Sequence, residues 1–240
     1  MTKSDLIALL AEGGVLRGVK FAPRGRDGWT RTGGGVWPLE TPDAEVTVDE
    51  DEIDAAAPPA VADETVVESD KPMTRALVAA RSALGARDIV LALPLSQVLV
   101  RVFKMPLEVR DDVADAVALQ MDKLSPFPGE ELSVGCEVLS ETESHLWVFA
   151  AALPAAVFEE LGAALDEARL QAVRTDVAML GWLRSLSGPC QLMRTGRRVV
   201  LMDPDGSWDL VVLDHGVPVL ARGLGGAVSA EDVVREMTLS

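Results

Sequence analysis

The stretch from Asp88 to Leu132 constrains the fold of this chain more than any other part. It places two apolar strands, Ile89–Leu93 and Val98–Met105, before an amphipathic helix at Glu108–Leu124 that a Pro-Phe-Pro turn ends. Acidic residues in the first turn of this helix suit the positive end of its dipole. Strands followed by a helix predict mixed sheets with helices on their faces, which is an α/β architecture.

The same alternation continues along the rest of the chain. Helices are predicted at 72–84, 154–168 and 175–186, and strands at 132–139, 146–152, 171–174, 198–202, 208–213 and 217–221. Before them, Val15–Leu39 indicates three short strands, the last two separated by a break at Gly33–Gly35. A final helix is expected to begin at Ser229. The opening and closing groups of three strands look like two copies of one β-meander.

Most of the acidity lies in one segment. Glu40–Asp70 holds 12 acidic residues and no Lys or Arg, within a chain of formal net charge −16. Like charges at this density repel one another, so the segment is predicted to be a flexible insert. The remainder has 26 acidic and 22 basic residues without a basic stripe. Nucleic acid is therefore not expected as a partner.

The sequence indicates neither a metal site nor a membrane span. Cys136 and Cys190 lie far apart with no CxxC spacing, and only two histidines accompany them. The longest apolar run, Leu146–Phe158, contains a proline and is shorter than the roughly 20 residues that a membrane helix needs. No signal peptide is recognised, and no serine or cysteine has the neighbours of a catalytic nucleophile. We expect a soluble, cytoplasmic chain without catalytic residues.

Several short motifs follow one another in a family-specific order. They are Leu93-Pro94, Val100-Arg101-Val102, Met105-Pro106, Pro126-Phe127-Pro128 with Glu130-Glu131, and Ala168-Arg169-Leu170 leading to Asp176-Val177-Ala178. This order resembles the cytoplasmic actin-like domains of the type IV pilus M-protein (PilM) and the type II secretion L-protein (GspL). The resemblance implies an RNase H-like fold of the actin-like ATPase type with an inserted α/β subdomain.

The resemblance also implies a division of the chain. Residues 1–38 would form the first β-meander, 39–70 the acidic insert, 71–170 a helix and the inserted subdomain, and 171–240 the second RNase H-like half. That half is short for the fold, so we expect the chain to be one part of a longer protein.

Active members of this family bind ATP between two β-hairpins, each supplying glycine N–H groups and an Asp for Mg²⁺. The resemblance places the first hairpin at Gly18–Ala22. There Lys20 stands in the place of the Asp, Ala22 in the place of a Gly, and Pro23 removes another N–H donor. Lys20 would either bind phosphate as a point charge or face solvent as an ordinary strand residue.

The second hairpin is closer to the family pattern than the first. Its candidate nucleotide-binding residues are Asp203, Gly206, Gly225 and Gly226. Each has an alternative reading. Asp203-Pro204-Asp205-Gly206 is also a plain β-turn, and the two later glycines also suit a tight turn between a strand and a helix.

The resemblance, with its altered first hairpin, favours a non-catalytic adaptor of a secretion or pilus platform. Such an adaptor lies at the inner face of the inner membrane and links a membrane platform protein to the assembly ATPase. It has no cofactor or binds ATP weakly, and a homodimer is compatible with it. The alternatives are an ATP-binding actin-like ATPase of the same machinery and a generic α/β binding module.

For an adaptor, the expected partner surface is the inserted subdomain, Leu93–Ala152. Arg101 and Lys104 are two cations on an otherwise apolar strand, and Phe127 lies in the following turn. They would meet an acidic partner segment, or else the two cations are ordinary solvated residues. Trp29 and Trp37 flank the glycine break and are second candidates for a partner anchor.

Overall fold

The structure, a computed structural model, describes residues 5–25, 28–39, 71–126, 131–187, 194–202, 207–226, 229, 231 and 234–235. Its helices are α1 (Pro72–Leu84), α2 (Val113–Leu124), α3 (Ala155–Glu167) and α4 (Ala178–Ser187). Its strands are β1 (Leu6–Glu12), β2 (Val15–Arg24), β3 (Gly28–Pro38), β4 (Asp88–Leu93), β5 (Leu99–Pro106), β6 (Leu132–Glu141), β7 (His145–Pro154), β8 (Gln171–Val177), β9 (Arg197–Met202), β10 (Ser207–Asp214) and β11 (Val217–Gly226). The predicted α/β class with mixed sheets is confirmed.

The chain forms two compact units, Met1–Ala92 with Leu161–Thr175, and Leu93–Glu160 with Asp176–Ser240. The domain limits that the resemblance implied stay a prediction. None of the helices in the described part of the chain is both long and apolar enough to span a membrane.

The first unit is built on a five-stranded sheet of order β3-β2-β1-β4-β8. Its first three strands form an antiparallel meander, and β1 runs parallel to β4. Alternate residues of β1, from Ile7 to Ala11, are buried on one face of the sheet, as a strand with a period of two requires. Helix α1 covers this face with Leu84, which lies over Gly18 of β2.

Helix α1 has the predicted bounds because its ends are well marked. Pro72 lies in its first turn, where the missing N–H costs nothing. At its end Gly85 adopts a left-handed conformation, with φ 63°, and its N–H donates to the carbonyl oxygen of Arg81 at 2.8 Å.

Two predictions for the first meander are wrong. Its three strands do not all lie within Val15–Leu39, because the first of them is β1, before Gly13, where pairing with β2 and β4 outweighs a Leu- and Ala-rich composition that suits a helix equally well. The three glycines do not break the sheet but lie inside β3. The Trp37 ring packs over Gly35, 2.8 Å from where a Cβ on that residue would be, and over Gly18 of β2, 2.9 Å from the corresponding position, so a side chain at either glycine would clash with it.

The second unit contains two three-stranded sheets, β5-β7-β6 and β11-β10-β9. One face of β5-β7-β6 packs against α2 and the 3-10 turn Leu107–Asp112, which occupies the start of the predicted helix. The buried residues of this cluster are Met105, Val117, Met121, Leu146, Val148, Ala150 and Ala152. Leu124, expected on the same helix face, is exposed.

The other face of β5-β7-β6 packs with α4 and the second meander. The cluster contains Leu95, Val100, Phe149, Val177, Met179, Leu180, Leu183, Val211, Leu213 and Ala221. β9, β10 and β11 are antiparallel, so the predicted closing meander is confirmed. β11 runs on to Gly226, however, and the expected turn at Arg222–Gly226 is therefore part of a strand.

Some predictions fall on residues outside those described. They concern the acidic segment Glu40–Asp70, Phe127, Cys190, the turn Asp203–Gly206 and most of the last helix.

Candidate functional site

The first hairpin of the fold turns at Gly13 and Gly14, whose φ angles of 60° and 75° are left-handed. The predicted position of this hairpin, Gly18–Ala22, lies instead within β2, where residues 18–21 pair with β1 on one side and β3 on the other. Backbone N–H groups there are used by the sheet rather than presented to a phosphate. The placement by resemblance was therefore wrong.

Lys20 is held in an ion pair. Its Nζ lies 3.0 Å from Oδ2 of Asp5, and its side chain is only 21% exposed. The same Nζ is 4.0 Å from where a Cβ on Gly85 would lie, close to the C-terminal end of α1, where the helix dipole favours a cation. The solvent-facing interpretation of Lys20 is wrong, and the ion pair leaves it poorly suited to bind phosphate.

The strand before this hairpin offers little to a nucleotide. β1 reads LIALLAE, so its one carboxylate is Glu12, and that residue is 8% exposed. Mg²⁺ usually keeps several waters, for which a buried carboxylate has no room. Among the described residues, no three His, Cys, Asp or Glu side chains form a group that could hold a metal ion. The first hairpin does not fit an ATP–Mg²⁺ site.

The second hairpin is described only at its edges. β9 ends at Met202 and β10 begins at Ser207, so Asp203 and Gly206 fall between them, outside the described residues. Gly225 pairs with Trp208 and Gly226 with Ser207. Gly225 and Gly226 therefore lie beside β10. Nucleotide binding by Asp203, Gly206, Gly225 and Gly226 stays a prediction.

Asp209, on β10, is a buried carboxylate that the sequence analysis missed. It is 5% exposed and lies between Met202 and Gly223 in the sheet, and its carboxylate makes no hydrogen bond or ion pair with the described residues. Burial raises the pKa of its carboxyl group to about 6. An acidic residue inside the apolar strand WDLVVL was the signal that could have revealed it.

The two cations predicted to bind a partner lie on opposite faces of β5. Arg101 is opposite Ala150, which belongs to the cluster under α2, whereas Lys104 is opposite Trp147. Arg101 Nη1 donates to the carbonyl oxygen of Val100 at 2.8 Å. Lys104 Nζ lies 6.0 Å from the centroid of the Trp147 ring, at the outer limit of a cation–π contact. Both side chains are exposed, but they do not form one patch.

Other polar contacts of this unit hold its elements together. Arg184 of α4 donates a hydrogen bond to Glu137 of β6, and its Nη1 lies 3.5 Å from Oδ2 of Asp176. The hydrogen bond to Glu137 raises the pKa of the guanidinium. Cys136, exposed on β6, has a thiol whose pKa is raised by partial burial. A raised thiol pKa does not favour nucleophilic chemistry at that position.

Comparison with solved structures defines the fold. No protein-family model and no curated protein match the chain. A PilM–PilN type IV pilus biogenesis complex is similar over 98% of this chain and 66% of that one, with 19% identity and a TM-score of 0.68. The cytoplasmic domain of EpsL, an inner-membrane component of the type II secretion system of Vibrio cholerae, is similar over 92% and 71%, with 8% identity and a TM-score of 0.53.

A protein of unknown function from Bacteroides thetaiotaomicron with an actin-like ATPase fold is also similar. The match covers 98% of this chain and 75% of that one, with 11% identity and a TM-score of 0.53. The chain therefore has the actin-like ATPase fold, as the resemblance implied. It spans about two thirds of the length of the PilM chain that it matches.

Proposed function

We propose that this chain is a non-catalytic cytoplasmic adaptor of a type II secretion or type IV pilus inner-membrane platform. Two of its structural neighbours belong to those machineries. By analogy with the PilM–PilN complex, its partners would be an inner-membrane platform protein and the assembly ATPase, at the inner face of the inner membrane. A homodimer is compatible with this role.

The observation that carries the adaptor proposal is the first hairpin. Phosphoryl transfer depends on positioning and on metal charge. Here β1 contributes one buried carboxylate, and the lysine of β2 is paired with Asp5. An actin-like ATPase of the same machinery, the second candidate, is supported only by the retained glycines and Asp203 of the other hairpin.

Isothermal titration of the purified chain with Mg-ATP tests this proposal. We expect no measurable binding at millimolar nucleotide and no turnover above a heat-treated sample, because one of the two hairpins lacks the required groups. Asp203→Ala should change neither result. Mg²⁺-dependent hydrolysis that Asp203→Ala removes would reject the adaptor and establish the ATPase.

The proposed partner surface is the inserted subdomain around β5. Arg101 and Lys104 are exposed cations on a strand whose other side chains are apolar, and they would attract an acidic cytoplasmic tail of the platform protein. Because they point to opposite faces, an extended tail that follows the strand can meet both, whereas a flat surface can meet only one.

Charge reversal tests this contact. The double variant Arg101→Glu/Lys104→Glu should retain about one fifth or less of the wild-type affinity for that tail in a pull-down at low salt. Its thermal stability should remain close to wild type, since both side chains are exposed. The two single variants would show which face of β5 contributes more. Unchanged binding by the double variant would remove β5 from the interface.

A further inference from the structure

An extra residue in β3 decides which side chains share a face of the first sheet. Lys20 pairs with Gly33 and Phe21 pairs with Arg31, so Thr32 is the additional residue of a β-bulge. Without the bulge, Arg31 would point to the same face as Gly33. With it, Trp29 and Arg31 point to the face opposite α1, together with Gly34 and Val36.

These four residues, Trp29, Arg31, Gly34 and Val36, form an open strip that we call the β3 outer patch. Trp29 is 43% and Val36 is 52% exposed. The Arg31 guanidinium lies across Gly34, with Nη2 3.1 Å from where a Cβ on that glycine would be. β3 is also the edge strand of the described sheet, next to β2 alone. The patch thus combines exposed apolar groups, a cation and an open strand edge.

Strands β2 and β3 are positively charged, whereas the chain as a whole is negatively charged. β2 and β3 contain four cations, Arg17, Lys20, Arg24 and Arg31, and no carboxylate, in a chain of net charge −16. Lys20 points to the α1 face and pairs with Asp5. Arg17 and Arg31 remain on the outer face, and both are exposed. An acidic ligand is therefore favoured here.

We infer that the β3 outer patch binds an extended segment of a partner protein, added as a further strand at the edge of β3, in which the side chains of one face are alternately apolar and acidic. Unpaired backbone groups of an edge strand bind such segments through main-chain hydrogen bonds. Successive side chains of the added strand point to opposite faces, so the side chains beside Trp29, Arg31 and Val36 all come from every second residue of the segment. Apolar side chains suit the positions beside Trp29 and Val36, and an acidic one suits the position beside Arg31. A second copy paired through β3 would bring like charges together without any carboxylate, which disfavours self-association.

A fluorescence anisotropy titration tests this inference. The probe is a labelled peptide with the repeat Val-Thr-Glu-Thr, in which Val and Glu alternate on one face of the extended strand. It is mixed with the whole chain at low salt. We expect saturable binding that weakens as salt increases. Arg31→Glu and Val36→Ser should each weaken it about five-fold or more. Lys123→Glu, the same charge change on exposed α2, is the matched control and should bind like wild type.

Further outcomes separate the inference from simpler explanations. A peptide with Ser in place of Val should bind clearly more weakly; equal binding would mean charge attraction alone and would overturn the inference. No binding of the first peptide by a folded chain would also overturn it. Concentration-dependent dimers that Arg31→Glu abolishes would assign the patch to a second copy instead. None of these results depends on β5, so they are independent of the adaptor contact proposed above.

Discussion

Asp209 lies on the core-facing side of β10, and its carboxyl group has a pKa of about 6, against an ordinary value of 3.8. At pH values between 3.8 and about 6, the Asp209 carboxyl group is protonated in the folded chain and ionised in the unfolded chain. The free energy of unfolding therefore falls as pH rises from about 4 to about 6, and the whole penalty is present above pH 6. A pKa shift of two units corresponds to a free-energy penalty of at most about 2–3 kcal/mol.

Replacing Asp209 by Asn should remove this penalty. Burying the amide costs about 1 kcal/mol at every pH. We therefore expect the variant to be more stable than wild type at pH 7 by about 1–2 kcal/mol, and less stable by up to about 1 kcal/mol near pH 4, where the wild-type carboxyl group is uncharged in the folded chain. Urea denaturation at a series of pH values measures the difference. Asp122→Asn, at an exposed position of α2, removes one carboxylate in the same way and is the matched control variant. A constant difference between pH 4 and pH 7 for Asp209→Asn would contradict this account.

The apolar residues of helix α2 differ in burial. Val117 and Met121 are fully buried against β5-β7-β6, whereas Leu124 at the helix end is exposed. Apolar periodicity indicated one continuous face, and the difference arises because the residues after Leu124 leave the helix at Ser125.

Two alanine substitutions in α2 test this division. Met121→Ala should lower the free energy of unfolding by about 2–4 kcal/mol, because it leaves a cavity beneath the helix. Leu124→Ala, which removes a similar volume at an exposed position, should cost less than about 1 kcal/mol. Chemical denaturation of both variants measures these values, and equal costs would mean that the helix packs differently.

The elements that the sequence predicted well are those with local signals. α1 has proline at its start and glycine after its end, and its predicted bounds are those observed. β1 and the continuous β3 were missed because their identity depends on distant partners: β1 on β4, and the glycines of β3 on Trp37. The bulge at Thr32 has no signature in a single sequence, and it alone decides the face of Trp29.

In the molecule as a whole, the fold could be predicted from the sequence, but the details of the candidate site could not, because they depend on pairing between distant segments. The actin-like fold followed from the order of motifs, and the solved structures confirm it. The position of the first hairpin could not be predicted from the motif, because a glycine suits a turn and a strand equally well. The pairing with β1 shows that Gly18 lies inside β2. Asp209 was missed because its burial depends on strands that lie apart in sequence.

The two units are interleaved along the chain, and this has a consequence during synthesis on the ribosome. The first unit includes β8, which begins at Gln171, although its other strands are complete by Leu93. At about 5–20 residues per second, the edge of β4 that β8 will occupy stays open for roughly 4–16 seconds while the residues between are made. During that interval the nascent chain exposes a sheet edge, which chaperones or neighbouring nascent chains can reach.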